Sequence, residues 1–125
     1  MSRYNEKKIS YAHQEQLVDM FCEILCQLKS KQAIKNFLKD VLNRQERITL
    51  IRRLLIAEML YGGSTYKEIA KRLHCGFPTI ARVARWLHFG RGGYQKAIQL
   101  KKVKWRHFHA TYHESVRKSE ILKKY

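Results

Sequence analysis

Residues 65–87 read TYKEIAKRLHCGFPTIARVARWL. Apolar residues recur at helical spacing on both sides of His74-Cys75-Gly76, which predicts two short helices joined by a tight turn. Ser64 or Thr65 caps the first, expected over 66–73. Gly76 suits a turn position with positive φ. Pro78, the single proline of the chain, falls in the first turn of the second helix, where a missing N–H costs nothing. That helix is expected to end at Gly90. Ile69, Ala70 and Leu73 face inward on the first helix, and Ile80, Val83 and Leu87 on the second. Left outside are Pro78, Thr79, Ala81, Arg82, Arg85 and His88, with Phe77 at the helix start.

A hairpin with a basic second helix has the shape of a helix-turn-helix, here at 65–88. Arginine offers a planar fork that binds guanine bidentately or grips phosphate, which suits Arg82 and Arg85. Thr79 lies near a helix N-terminus, where backbone N–H groups favour a phosphate. Ala81 has the size to rest on a thymine methyl. Lys67, Lys71 and Arg72 are placed to hold the sugar-phosphate backbone. Double-stranded DNA is the expected partner.

Charge points the same way. The 125 residues carry 26 Lys and Arg against 10 Asp and Glu, a formal net charge of +16. An excess of that size repels itself in the folded state and fits a polyanionic partner. It is unevenly placed. Residues 1–30 balance four basic against four acidic side chains, whereas 62–100 hold seven basic residues and only Glu68 as an acid. Residues 101–125 add eight basic residues against Glu114 and Glu120. No apolar run approaches the ~20 residues that span a bilayer, so no membrane partner is expected. The opening MSRYNEKKISYAHQEQ shows no signal-peptide core. Three cysteines form no disulfide framework, and the expected compartment is the reducing cytoplasm.

Outward from the hairpin the pattern stays helical. Residues 1–10 read as a flexible lead-in. A helix is expected over 11–28, with Leu17, Phe21, Ile24, Leu25 and Leu28 as its stripe. Ser30 caps a second, carrying Ile34, Phe37, Leu38, Val41 and Leu42. Asn43 and Glu46 form a capping box for the longest helix, about 44–61, whose apolar positions are Ile48, Ile51, Leu55 and Met59, with Leu54 and Ile56 alongside. Gly62-Gly63 stops it. A last helix is expected over about 94–103. The reading is all-α, six helices in one domain over 11–100, followed by a basic C-terminal tail at 101–125. Six short helices bury little alone, and the first two lack an internal partner, so a homodimer is expected.

Three stretches carry a family resemblance. LHCGFPTIAR at 73–82 resembles the recognition segment of the Trp repressor superfamily. ERITLIRRLLIAEMLYGGSTYKEIAKRL at 46–73 is similar, without a gap, to that family's long central helix and first reading helix. LHFGRGGY at 87–94 resembles the Leu-Asn-Tyr-Gly-x-x-Gly-Tyr run of its YerC/YecD branch. The resemblance covers about residues 32–98 and leaves the tail outside. It implies a Trp-repressor-like, intertwined homodimer that binds operator DNA as a transcription regulator, a repressor. It also implies where an effector would sit, because Arg52 and Arg82 stand where two arginines embrace the L-tryptophan corepressor. Leu42, Val83 and Trp86 replace a threonine, a glycine and a serine there. Val83 and Trp86 crowd an indole-sized space, and Trp86 itself is a candidate to occupy it. No cofactor is expected.

Other constellations carry less. Cys22 and Cys26 lie four apart on one helix face with no second ligand pair, which fits core packing rather than metal. Cys75 is a redox sensor only if positive charge stabilises its thiolate. His107, His109 and His113 have poor spacing for a metal, so none is expected. Nothing resembles a nucleophile with its base, paired catalytic acids or a phosphate loop, which excludes an enzyme. The tail interleaves Trp105, Phe108 and Tyr112 with Lys101, Lys102, Lys104 and Arg106. Two readings stand: nucleic-acid contact, or a helix packing on the dimer through Trp105, Phe108 or His109, Tyr112 and Val116. Two functions compete with sequence-specific regulation. One is non-sequence-specific nucleic-acid binding driven by the tail. The other is a protein-interaction module that retains the fold.

Overall fold

Polar side chains set where most of the helices begin. In the computed structural model, which describes residues 6–123, the Ser10 hydroxyl accepts from the His13 N–H at 3.2 Å and opens α1, Tyr11–Gln27. Ser30 accepts from the Ala33 N–H at 3.0 Å and opens α2, Lys31–Val41. Asn43 and Glu46 satisfy each other's backbone N–H at 2.8 and 2.9 Å, the expected capping box, at the start of α3, Arg44–Tyr61. Thr65 opens α4, Tyr66–Leu73, accepting from the Glu68 N–H at 3.2 Å. Then follow α5, Phe77–Phe89, α6, Gly93–Ile98, and α7, Trp105–Lys123.

The count among the described residues is seven α-helices, not six, because the tail supplies α7. The helix expected over 94–103 closes at Ile98. There the backbone tightens: the Leu100 N–H bonds the Ala97 carbonyl at 3.3 Å, and the chain turns before Trp105. The lead-in expected over 1–10 lies outside the described residues as far as residue 5, and Glu6–Lys8 form a 3-10 turn.

The chain divides into two compact units, 1–47 and 48–125, with the boundary inside α3. No residue of α1 or α2 is buried. Within this first unit the rings of Phe21 and Phe37 lie 5.8 Å apart, tying the two helices together.

The core belongs to the second unit. Leu55, Ile56 and Ala57 of α3 pack with Ile69 and Leu73 of α4 and with Ile80 and Val83 of α5. Leu87 is also buried. The inward sets expected on the hairpin are thus the ones observed, with Ala70 half-buried. The stripe expected on α3 is only partly so. Ile48 and Ile51 are exposed, whereas Leu55, Ile56 beside it and the unexpected Ala57 are buried. Apolar residues stand all round α3, so periodicity does not single out one face.

Trp105 and Tyr112 of α7 pack on this core, and the Tyr112 hydroxyl donates to the Leu73 carbonyl at 3.2 Å. His109 is buried, its Nε2 lying 2.6 Å from Glu58 Oε2 on α3. The tail thus forms a helix that packs through Trp105, His109 and Tyr112 on the core of its own unit, with Phe108 left exposed.

Candidate nucleic-acid interface

The hairpin turn differs from expectation in one backbone detail. His74 takes the left-handed conformation (φ 54°, ψ 52°), while Gly76 is extended at φ −82° and serves as N-cap of α5. Histidine is among the residues that enter this region most readily outside glycine. A left-handed residue directly after a helix is a common stop. At the other end of α5 glycine is required for a steric reason, since a Cβ on Gly90 would meet the Trp86 carbonyl oxygen at 2.2 Å.

Gly76 offers no side chain to the first N–H groups of α5, and the first turn holds no acidic residue. The positive end of the helix dipole is therefore left for an outside anion. The ring of Phe77 stands edge-on to Tyr66 at 6.0 Å and fixes the start of α5 against the start of α4. Half of Phe77 remains exposed.

Periodicity then divides α5. With Ile80, Val83 and Leu87 in the core, Phe77, Pro78, Ala81, Arg82, Arg85 and His88 are all exposed, and Thr79 is half-buried. Lys67, Lys71 and Arg72 are exposed on α4. No acidic residue occurs on α5, and the one on α4, Glu68, is held by the Thr65 hydroxyl at 2.9 Å.

Between α3 and α5 lies a cleft of about 150 Å³ lined by Thr49, Arg52, Arg53, Thr79, Arg82 and Val83. It brings Arg52 and Arg82 together, as their family positions imply, and adds Arg53 and Thr49, which the sequence did not single out. All three charged residues are arginines, so the cleft favours an anion. Its volume is half or less of the roughly 300–1,000 Å³ typical of small-molecule pockets. Trp86 is not among its lining residues. It lines a separate groove with Leu54, Gly90, Arg91, Gly93 and Tyr94, and it is half exposed, so it does not occupy the cleft.

Cys75 sits in the hairpin turn, half-buried. Burial pushes its thiol above the ordinary value, and the Arg52 charge only partly offsets this. Its surroundings therefore favour the thiol, not the thiolate a redox sensor needs. Cys22 and Cys26 are exposed, not packed in a core. Among the described residues no group of three or more His, Cys, Asp or Glu is placed to hold a metal ion. No helix among them is long and apolar enough to cross a membrane.

Residues 16–102 match the Trp repressor protein family. The chain belongs to the Trp repressor family. The match begins within α1 and so reaches further toward the N-terminus than the three resembling stretches. The chain is also 33% identical over 88 residues to the uncharacterized protein YerC of Bacillus subtilis (strain 168), covering 70% of this chain and 84% of that one. This similarity assigns it to the YerC-type branch. The family is one of DNA-binding regulators and is not enzymatic. No solved structure matches the chain. The family match ends at residue 102, before α7 begins.

Proposed function

We propose that this protein is a sequence-specific, helix-turn-helix DNA-binding regulator, a repressor acting as a homodimer in the cytoplasm. The observation that carries the reading is the division of α5. Its apolar side is buried, and the other side presents Ala81, Arg82, Arg85 and His88 to solvent with no acid among them. In this reading α5 enters the major groove, Arg82 and Arg85 read base edges, and Lys67, Lys71 and Thr79 hold phosphates.

Dimerisation is supported by what one chain leaves uncovered. Leu17, Val18, Met20, Phe21 and Ile24 are exposed on α1. In the second unit a groove of about 560 Å³ is lined almost entirely by apolar residues, among them Ile51, Leu54, Leu100, Val103 and Phe108. Apolar faces of this extent mark an interaction surface, and an intertwined second copy covers them. Two copies also match the symmetry of a palindromic operator. No effector is required. L-Tryptophan is disfavoured by the small cleft, with buried Val83 forming part of its wall.

Selection of bound fragments from random duplex DNA tests this, with and without L-tryptophan. The expected result is a two-fold-symmetric site whose recovery is indifferent to tryptophan. The double variant Arg82→Ala/Arg85→Ala should lose the preference. Each bidentate contact is worth about 1–3 kcal/mol of discrimination, or roughly 5- to 150-fold. Unchanged preference in that variant would refute the reading.

A further inference from the structure

Helix α7, which follows the end of the family match, is docked beside the turn that leads into α5. Tyr112 bonds the last carbonyl of α4, and the rings of His113 and His74 stack with centroids 6.3 Å apart and planes inclined at 24°. His74 stands three residues before Phe77, the first residue of α5. This contact fixes which flank of α7 faces the hairpin turn. Arg106, Ala110, His113 and Arg117 follow one another at i, i+4, i+7 and i+11, so they share that flank. All four are exposed. The acid described on α7, Glu114, is held by Lys118 at 3.2 Å.

We infer that α7 is a second DNA-contacting element, whose flank of Arg106, His113 and Arg117 grips the sugar-phosphate backbone beside the segment read by α5. The inference rests on the proposed function. It adds a contact that carries affinity without sequence preference. Phosphates are evenly spaced along the duplex, and a helix docked at a fixed distance from the reading helix meets them in one register. Contacts of this kind position a protein on the duplex without reading its sequence. The tail then acts in one direction with the hairpin, and not as an independent non-specific binder, because Trp105, His109 and Tyr112 hold it to the core.

The test is the salt dependence of binding by the full chain to its selected duplex and to a scrambled duplex. The slope of log K against log salt steepens by about 0.9 for each phosphate neutralised. In Arg106→Gln/Arg117→Gln the slope should fall by about two per chain. Affinity should drop by the same factor on both duplexes, leaving their ratio intact. Lys104→Gln/Lys118→Gln removes the same charge from residues outside the Arg106–Arg117 row and controls for net charge. Its slope should change by less than half as much.

An unchanged slope in Arg106→Gln/Arg117→Gln overturns the inference while the hairpin reading stands. So does an equal change in both variants, because it reports bulk charge. Absence of duplex preference in the unsubstituted chain removes the hairpin reading itself. Circular dichroism of each variant verifies that the exposed substitutions leave the helices in place. Should α7 undock in the double variant, Arg117→Gln alone must still lower the slope by about one.

Discussion

The two units of this chain solve the problem of burial differently. The second, 48–125, hides Leu55, Ile56, Ile69, Leu73 and Ile80 almost completely within one copy. The first, 1–47, buries none of its described residues, although α1 presents Leu17, Val18, Met20, Phe21 and Ile24. An unburied stripe gains none of the roughly 1.5–3 kcal/mol available to a buried large apolar side chain. The difference assigns separate tasks. The second unit positions the hairpin and α7 by itself, and the first offers the apolar surface that the proposed second copy would cover.

The largest expected effect separates these tasks. Ile69→Ala removes a fully buried side chain from the second unit and should cost about 2–5 kcal/mol in urea unfolding at fixed protein concentration. In the first unit, Phe21→Asp should turn the dimer into a monomer, as read by light scattering on a sizing column. The helical signal of the second unit should survive. A dimer unaffected by Phe21→Asp would mean that the exposed face of α1 is not the surface the second copy covers.

A smaller effect sharpens the picture at α7. His109 is nearly sealed from solvent with Glu58 Oε2 at 2.6 Å, so His109→Ala leaves the Glu58 carboxylate without that partner. Glu58 keeps access to water, so the cost is that of losing one hydrogen bond to a charged group, at most about 1.5–3 kcal/mol. Tyr112→Phe removes only the hydroxyl bond to the Leu73 carbonyl and should cost about 0.5–1.5 kcal/mol. Both losses should appear in urea unfolding. Faster hydrogen exchange confined to α7 and the end of α4 would locate them.

Local signals made the helix boundaries legible. Ser30, Thr65 and the Asn43–Glu46 pair are side-chain caps whose meaning does not depend on the rest of the fold. The inward residues of α4 and α5 were legible for a similar reason, since one face of each is apolar and the other charged. On α3 the apolar residues stand on every side, so only packing selects Leu55, Ile56 and Ala57 over Ile48 and Ile51. The positive φ of the turn falls on His74 and not on Gly76 two residues later, a choice that sequence spacing does not make. Arg53 and Thr49 entered the arginine cleft through the rotation of α3 about its axis, which also follows from packing. The pairing of His109 with Glu58 spans 51 residues, and no local pattern encodes it.

The smallest effect concerns Cys75 and distinguishes a turn held shut from one that opens. Burial disfavours the charged thiolate, and Arg52 supplies only part of the compensation, so the folded protein holds this thiol above its ordinary range. Alkylation requires the thiolate. In a Cys22→Ser/Cys26→Ser background, the rate of Cys75 alkylation should rise with pH along a curve displaced upward from that of a free cysteine peptide. Substituting Arg52→Gln removes the lowering charge and should displace the curve further upward. The sign also bears on stability. A thiol that ionises less readily when folded contributes stability that fades as pH rises past the unfolded value. A curve displaced below the peptide would mean that Cys75 meets solvent and positive charge together. The turn between α4 and α5 would then open on the timescale of the reaction, and the fixed register between α7 and the hairpin would not hold.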